Sequence, residues 1–376
     1  MGPSKSLHHV INHLWLLASL PAFFDLALGA CECGYAISNK NEKVVFTDLL
    51  ESDFVHLDIT DRSGEYGKYG WAAQVFNKSM HDARGPYGEA FTLQNVVSNK
   101  IADTKVFDEP GEKGGDAGAH LVVGSEIVDG MVTNSEIATT ESHFFYGTFR
   151  AGIKVTEVAG TCSAFFWYFN DTQEIDIEFL SAEFNKDNGT FPVNLVLQSL
   201  GSNKAGFDAS NTKDFERVNL PFDPTTDFHE YRFDYLEREV VFYGDGKELA
   251  RMTGSSVPTV PGNLLLSHWS NGNPGWSRGP PKTDATTTVS YVKAYFNSSM
   301  DSRRADFVSR CTEPAAESAF CDVPDNDPAY FFTYQQNMTN NQTTYLDDEN
   351  AGDVVGLWWP FMLSATLASS ACAIGL

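Results

Sequence analysis

The residues in this chain best suited to chemistry are Glu174, Asp176 and Glu178, interleaved with Ile175, Ile177 and Phe179. Strict alternation of carboxyl and bulky apolar side chain is the period-two signature of a half-buried strand. Wound as a helix, the same residues would scatter around the axis, and β-branched isoleucine favours the strand. The three apolar residues then enter a core, and the three carboxyls crowd one face. Crowding raises the proton affinity of one group, so neighbouring carboxyls can hold different protonation states. Glycoside hydrolysis uses such a set: one carboxylate as nucleophile or base and one carboxylic acid, flanking the scissile bond. The bland alternatives for the six residues alone are a solvated acidic edge strand or a calcium site.

Spacing sets a condition on the fold. Residues four apart on a strand lie about 13 Å apart at Cα, at ~3.3 Å per residue. A retaining pair of carboxyl groups stands only about 5 Å apart. The strand must therefore curve with its acids on the concave side, and a curved sheet with a cleft across that side is the expected frame.

The surrounding sequence supplies strands. From Val44 to Phe296 it reads as short apolar segments broken by Gly, Asn, Asp and Pro. Phe149 to Val155, Val193 to Leu197, Tyr231 to Tyr235, Val240 to Tyr243 and Val289 to Tyr295 are examples. Gly244-Asp245-Gly246-Lys247 reads as a hairpin turn. With no long amphipathic helix and no repeat, the pattern predicts an all-β sandwich. Asn194, Val196 and Gln198 share one strand face, which is either a lining of the cleft or an ordinary solvated surface. Trp269 and Trp276 sit among Ser, Asn and Gly, where an uncovered indole is costly unless a sugar ring stacks on it. The alternative is that each plugs the sandwich. Trp167 lies within an all-apolar run, where core packing is the simpler explanation. Asp108 to Gly118, rich in glycine and acid, reads as a loop without EF-hand or P-loop spacing.

Composition bounds the partners. The chain has 376 residues, with 26 Lys plus Arg against 50 Asp plus Glu, a net charge of −24. That is enough length for one large domain with tails. The charge argues against nucleic acid, which needs a basic patch, and against an anionic membrane surface. A neutral polysaccharide needs aromatic platforms and hydrogen bonds and tolerates an acidic protein. No Cys/His spacing suggests zinc, no cofactor is expected, and a structural Ca²⁺ is not indicated. A monomer is expected.

The ends read as processing signals. Lys5 and three histidines precede the apolar run Leu14 to Phe24, and Ala27-Leu28-Gly29 supplies small residues for cleavage, so residues 1–29 read as a secretory signal peptide. Secretion makes Cys31, Cys33, Cys162, Cys311, Cys321 and Cys372 candidates for disulfides. Cys31 and Cys33 are too close to pair comfortably with each other, Cys311 and Cys321 could close a short loop, and the pairing stays open. Residues 301–352 have an acidic, Asn/Thr-rich linker composition. Val354 to Leu376 is mostly apolar with no Lys or Arg after it, which reads as a removable signal for a glycosylphosphatidylinositol anchor; a retained tail anchor is the alternative. Asn-x-Ser/Thr sequons occur at Asn77, Asn170, Asn188, Asn297, Asn337 and Asn341. Asn170 lies just before the acidic strand, so a glycan there would have to point away from the cleft.

Glu174-Ile175-Asp176-Ile177-Glu178-Phe179-Leu180 resembles the catalytic signature of glycoside hydrolase family 16, which includes lichenases, laminarinases and fungal cell-wall transglycosylases. The resemblance runs from about Gly124 to Phe296. Ser135 to Thr139 with Phe145-Tyr146-Gly147 resembles the strand pair before the catalytic strand. Phe228 to Asp234 with Val241 to Gly246 resembles the late hairpin. His268 to Gly272 with Trp276 resembles the tryptophan loop beside the cleft, and Tyr291 to Phe296 the closing strand. The resemblance implies a concanavalin A-like jelly-roll β-sandwich over residues 30–300, with a concave sugar-binding sheet. It implies Glu174 as nucleophile, Glu178 as general acid/base, and Asp176 as the group that hydrogen-bonds the nucleophile. Glu136, Asn194, Gln198, Trp269 and Trp276 become the candidates for contact with substrate. The chain departs from lichenases, which commonly carry Glu-Ile-Arg where it has Glu136-Ile137-Ala138, and lacks the residue laminarinases insert before the second Glu. The implied activity is retaining hydrolysis of a β-glucan, with cell-wall transglycosylation as the alternative. A non-catalytic glucan-binding module and a structural wall glycoprotein are the alternatives of another class.

Overall fold

The computed structural model describes residues 31–60, 69–205, 209–325, 327–332 and 343–345. The alternating segments form two large, mostly antiparallel sheets. Across the first, the strands run in the order Phe215–Asn219, Pro192–Gln198, Gln173–Leu180, Cys162–Asn170, Asn263–Trp269, Met131–Thr139, Gly88–Phe91 and Phe76–Lys78. The second includes Lys247–Thr253, Glu239–Gly244, His229–Leu236, Phe144–Lys154, Ala285–Ser298 and Asp48–Asp53 in that order. The architecture is an all-β jelly-roll sandwich.

The core lies between the sheets and takes one residue in two from each strand. Ile175, Ile177 and Phe179 enter it with Phe165, Trp167, Val193, Leu195 and Leu197 from the flanking strands. Phe165 meets Phe233 of the opposing sheet, Trp167 meets Tyr235, and Phe179 meets Tyr231 edge-on, with ring centroids 5.2, 5.0 and 4.6 Å apart. Burying each such side chain stabilises the fold by about 1.5–3 kcal/mol. Trp167 donates its indole N–H to Phe144 O at 2.9 Å, so its one polar atom is satisfied. The expected hairpin forms: Gly244 pairs with Lys247, leaving Asp245 and Gly246 at φ 46° and 72°. Positive φ at both loop residues matches the twist of the flanking strands.

The segment after Phe296 departs from the linker expected there. Asp301–Arg310 is a helix, and Phe320–Asp322 pairs in parallel with Gly34–Asn39. Cys31 pairs with Cys321 and Cys33 with Cys311, so the short Cys311–Cys321 loop does not form. Cys162 is buried as a free thiol. Beyond Asp322 the chain lies against the outer face of the second sheet. Arg150 donates to Pro324 O at 2.7 Å, Lys293 to Asp327 O at 2.7 Å, and the Phe332 amide to Glu51 at 2.9 Å. Composition misread this stretch because its order comes from distant cations and cystines, not from its own apolar residues. Residues 1–29 and 353–376, with Cys372, Asn337 and Asn341, lie outside the described residues.

Candidate active site

Glu174, Asp176 and Glu178 share the face of Gln173–Leu180 that points away from the core, and all three are buried, none more than 1 % exposed. Register fixes their neighbours. On one side Gln198 stands opposite Glu174, Val196 opposite Asp176 and Asn194 opposite Glu178. On the other, Tyr168, Phe166 and Ala164 stand opposite the same three residues. The row through Glu178 continues through Ala164 and Ser267 to Glu136. Three strand spacings of ~4.8 Å put Glu136 about 14 Å from Glu178. Glu136, Asn194 and Gln198 thus share the acid face, but only the two amides adjoin the acids.

Apolar groups pave the rest of that face. Ala138, Ala164, Phe166, Tyr168 and Leu265 form one cluster. Phe91, Cys162, Leu180, Val196, Ala209, Trp269 and Trp276 form another. Trp269 follows directly after the Glu178 row, opposite Cys162. Both tryptophans are buried, at 5 % and 4 % exposure. They pack in the wall of the face, and the Trp276 indole N–H has no hydrogen-bond acceptor among the described residues. His268, one residue away, faces between the sheets. Its ring bridges Leu121 O and the Thr161 hydroxyl at 2.8 Å each, a structural role.

Low polarity around the acids decides their protonation. Burial is the largest cause raising the pKa of Glu174 well above the ordinary value, followed by the charge of Asp176 and a hydrogen bond between the two side chains. Asp176 is also raised well above its ordinary value, first by burial and then by the charge of Glu178. The hydrogen bond from Glu174 acts on Asp176 in the opposite sense. Two carboxyls can hydrogen-bond only through a proton that one of them carries. The neighbouring acids therefore titrate as a pair, and burial favours the protonated form of both.

Several other polar atoms belong to residues of the same face. Glu174 Oε2, Asp176 Oδ2, Asn194 Oδ1 and Ser267 Oγ are buried without a hydrogen bond among the described residues. Each such atom costs about 1–3 kcal/mol unless something bonds it. A polyhydroxylated ligand would satisfy the whole row. Among the described residues no group of three or more His, Cys, Asp and Glu side chains could hold a metal ion.

Sequence reading missed two contributors. Tyr168 stands opposite Glu174 and donates to Asp171 at 2.9 Å, and the charge of Asp171 is a further, smaller cause raising Glu174. Ser267 joins the Glu178 row to Glu136. Their signal was parity: in the run Ala164 to Phe169 the odd positions Phe165 and Trp167 face the core, and the even ones floor the acid face.

A sandwich that gathers three buried carboxyls, amides and aromatic rings on one sheet face has the architecture of a carbohydrate-active enzyme. Residues 109–293 match the family model "Glycosyl hydrolases family 16", and the acidic strand falls inside that match. Among curated proteins, the β-glucanase of Acetivibrio thermocellus is 32 % identical over 165 residues, covering 42 % of this chain and 45 % of the relative. The β-glucanase of Brevibacillus brevis is 29 % identical over 160 residues, covering 40 % and 55 %. The chain thus spans about half the length of the curated relatives it matches. Among solved structures, a β-1,3-1,4-glucanase (lichenase) from a mouse hindgut metagenome aligns at TM-score 0.45 and 20 % identity, covering 66 % of this chain and 98 % of that one. The endo-β-1,3-glucanase of Pyrococcus furiosus aligns at TM-score 0.48 and 17 % identity, covering 70 % and 98 %.

Proposed function

We propose that this protein hydrolyses a β-glucan with retention of anomeric configuration, with Glu174 as nucleophile and Glu178 as general acid/base. The observation that carries the reading is the row of three buried carboxyls, Glu174, Asp176 and Glu178, on one strand face. Glu174 must be ionised to attack, and burial and the charge of Asp176 both favour its protonated form. Passing its proton to Asp176, two residues along the same face, frees the Glu174 carboxylate, which Asp176 then steadies as a donor. Glu178, on the same face two residues further on, protonates the leaving oxygen as the Glu174 ester forms. It then removes a proton from the water that cleaves the ester. Asn194 and Gln198, on the adjacent strand, supply hydrogen bonds to sugar hydroxyls, and Glu136 lies further along the same face for a more distant unit. The chain acts outside the cell under this reading, with residues 1–29 as export signal and the apolar residues 354–376 as the signal for a lipid anchor.

The test is to follow the reducing-end anomers by NMR during the first turnovers on a panel of defined β-glucans. Initial release of the β-anomer supports double displacement, and initial release of the α-anomer refutes it. Adding a labelled oligosaccharide acceptor separates hydrolysis from transglycosylation, since only transfer lengthens the acceptor.

A further inference from the structure

The hairpin that leads into the acidic strand carries an unusual surface. Phe169 is 48 % exposed, next to Asn170 of the sequon Asn170-Asp171-Thr172. Alternation along Cys162–Asn170 places Ala164, Phe166 and Tyr168 on the acid face, and simple parity would put Asn170 there too. The register prevents this. Tyr168 pairs with Glu174, but Asn170 pairs with Gln173, with a shift between them. Phe169 is the extra residue of this bulge, and a bulge turns the following side chain to the other face. Asn170 therefore sides with Gln173. The Gln173 side chain lies off the acid face, its Oε1 accepting the Thr259 amide at 3.0 Å.

The local hydrogen bonds leave the amide nitrogen ready for modification. Asn170 Oδ1 accepts from the Thr172 amide at 3.0 Å and from the Thr172 hydroxyl at 2.9 Å. This engages the carbonyl end of the side chain, and Asn170 is itself exposed at a hairpin tip. By contrast, Asn297 is half-buried in a long strand, its Oδ1 accepting the Thr47 amide at 3.2 Å. We propose that Asn170 carries an N-linked glycan, whose first sugar covers the exposed Phe169 ring while the chain extends away from the carboxyl face. Asn170 Nδ2 forms the new bond to the anomeric carbon of an oligosaccharide donor activated as a lipid pyrophosphate. The pyrophosphoryl lipid leaves, and the proton lost from the amide passes to the transferase. The exposed Phe169 ring offers an apolar platform beside Asn170, and the apolar face of a pyranose is a suitable cover for it.

The test uses the full chain secreted from a eukaryotic host. Peptide mapping after enzymatic deglycosylation in H₂¹⁸O should show Asn170 converted to labelled Asp. Asn170→Gln and Thr172→Ala should each lower the intact mass by one glycan. Removing the glycan enzymatically from folded protein should change kcat/KM on β-glucan by less than about twofold, because the sugar lies off the acid face. Phe169→Ala should lower site occupancy or reduce the Tm difference between glycosylated and deglycosylated protein. An unmodified Asn170 in the purified protein overturns the proposal. So does a glycan whose removal raises kcat/KM tenfold, since it would then face the cleft. The mass measurement does not depend on the proposed catalytic reading, so the two can fail separately.

Discussion

Glu174 and Asp176 stand two residues apart on one buried strand face, where burial and then the charge of Asp176 raise the pKa of Glu174. The relationship follows from strand geometry, because residues two apart return to the same side. It couples their titration, so pH acts on the pair and not on either residue alone.

Glu174→Gln removes the nucleophile and should lower kcat by roughly 10⁵-fold or more. The same change should stabilise the fold. Both acids have folded pKa values above their unfolded ones, so the stability they contribute is lost as pH rises through the folded values. Replacing Glu174 by a neutral amide should raise stability by about 1–3 kcal/mol at neutral pH and by little at acid pH. Thermal melts across pH check this, and a variant less stable than the parent at pH 7 would contradict it.

Asp176→Asn keeps a hydrogen-bond partner but removes the charge that raises Glu174. The acid limb of the kcat/KM profile should move to lower pH, because Glu174 then ionises more easily. The maximal rate should fall by about 10²-fold, since the amide cannot take up the proton. A pH–rate profile of the variant separates proton placement from simple packing loss.

Glu178→Ala should cost about 10²–10⁴-fold on a glucan, whose leaving group needs a proton. On an aryl glycoside with an acidic leaving phenol, formation of the Glu174 ester should be nearly unaffected and the ester should accumulate. Burst kinetics and intact mass read this directly. Equal loss on both substrates would argue against the assigned role.

At the acid end, His268 limits stability. Burial between the sheets is the main cause that depresses its pKa to about 4, opposed by its hydrogen bond to Leu121 O. A histidine depressed in the fold destabilises it as pH falls from about 6.5 toward 4. His268→Gln should flatten that part of the stability profile and cost about 1–3 kcal/mol at pH 7 through imperfect bridging.

Paired removal of Cys31 and Cys321, or of Cys33 and Cys311, should each lower stability by about 2–5 kcal/mol. The bridges span 290 and 278 residues and tie the same two regions, so removing both should cost less than the sum. Chemical denaturation of the three variants measures the shortfall.

Side-chain period alone determined much of this protein. Glu174, Asp176 and Glu178 had to share a face because their spacing is two, and Ile175, Ile177 and Phe179 had to enter a core. Gly244 to Lys247 had to turn because Asp-Gly accepts positive φ. Tertiary structure decided what period cannot encode, namely which strands become neighbours. Pairing placed Gln198 and Asn194 beside the acids and held Glu136 three strands away. Packing put Trp269 and Trp276 into the wall of the face, and burial became the largest cause raising the pKa of Glu174. A one-residue bulge at Phe169 reversed the face that parity assigned to Asn170. The described residues of the polar stretch between Asp301 and Phe332 are held by Cys31, Cys33, Arg150 and Lys293, all distant in sequence. Local sequence sets the direction of a side chain within its strand, whereas its partners and its solvation arise only when distant segments pack together.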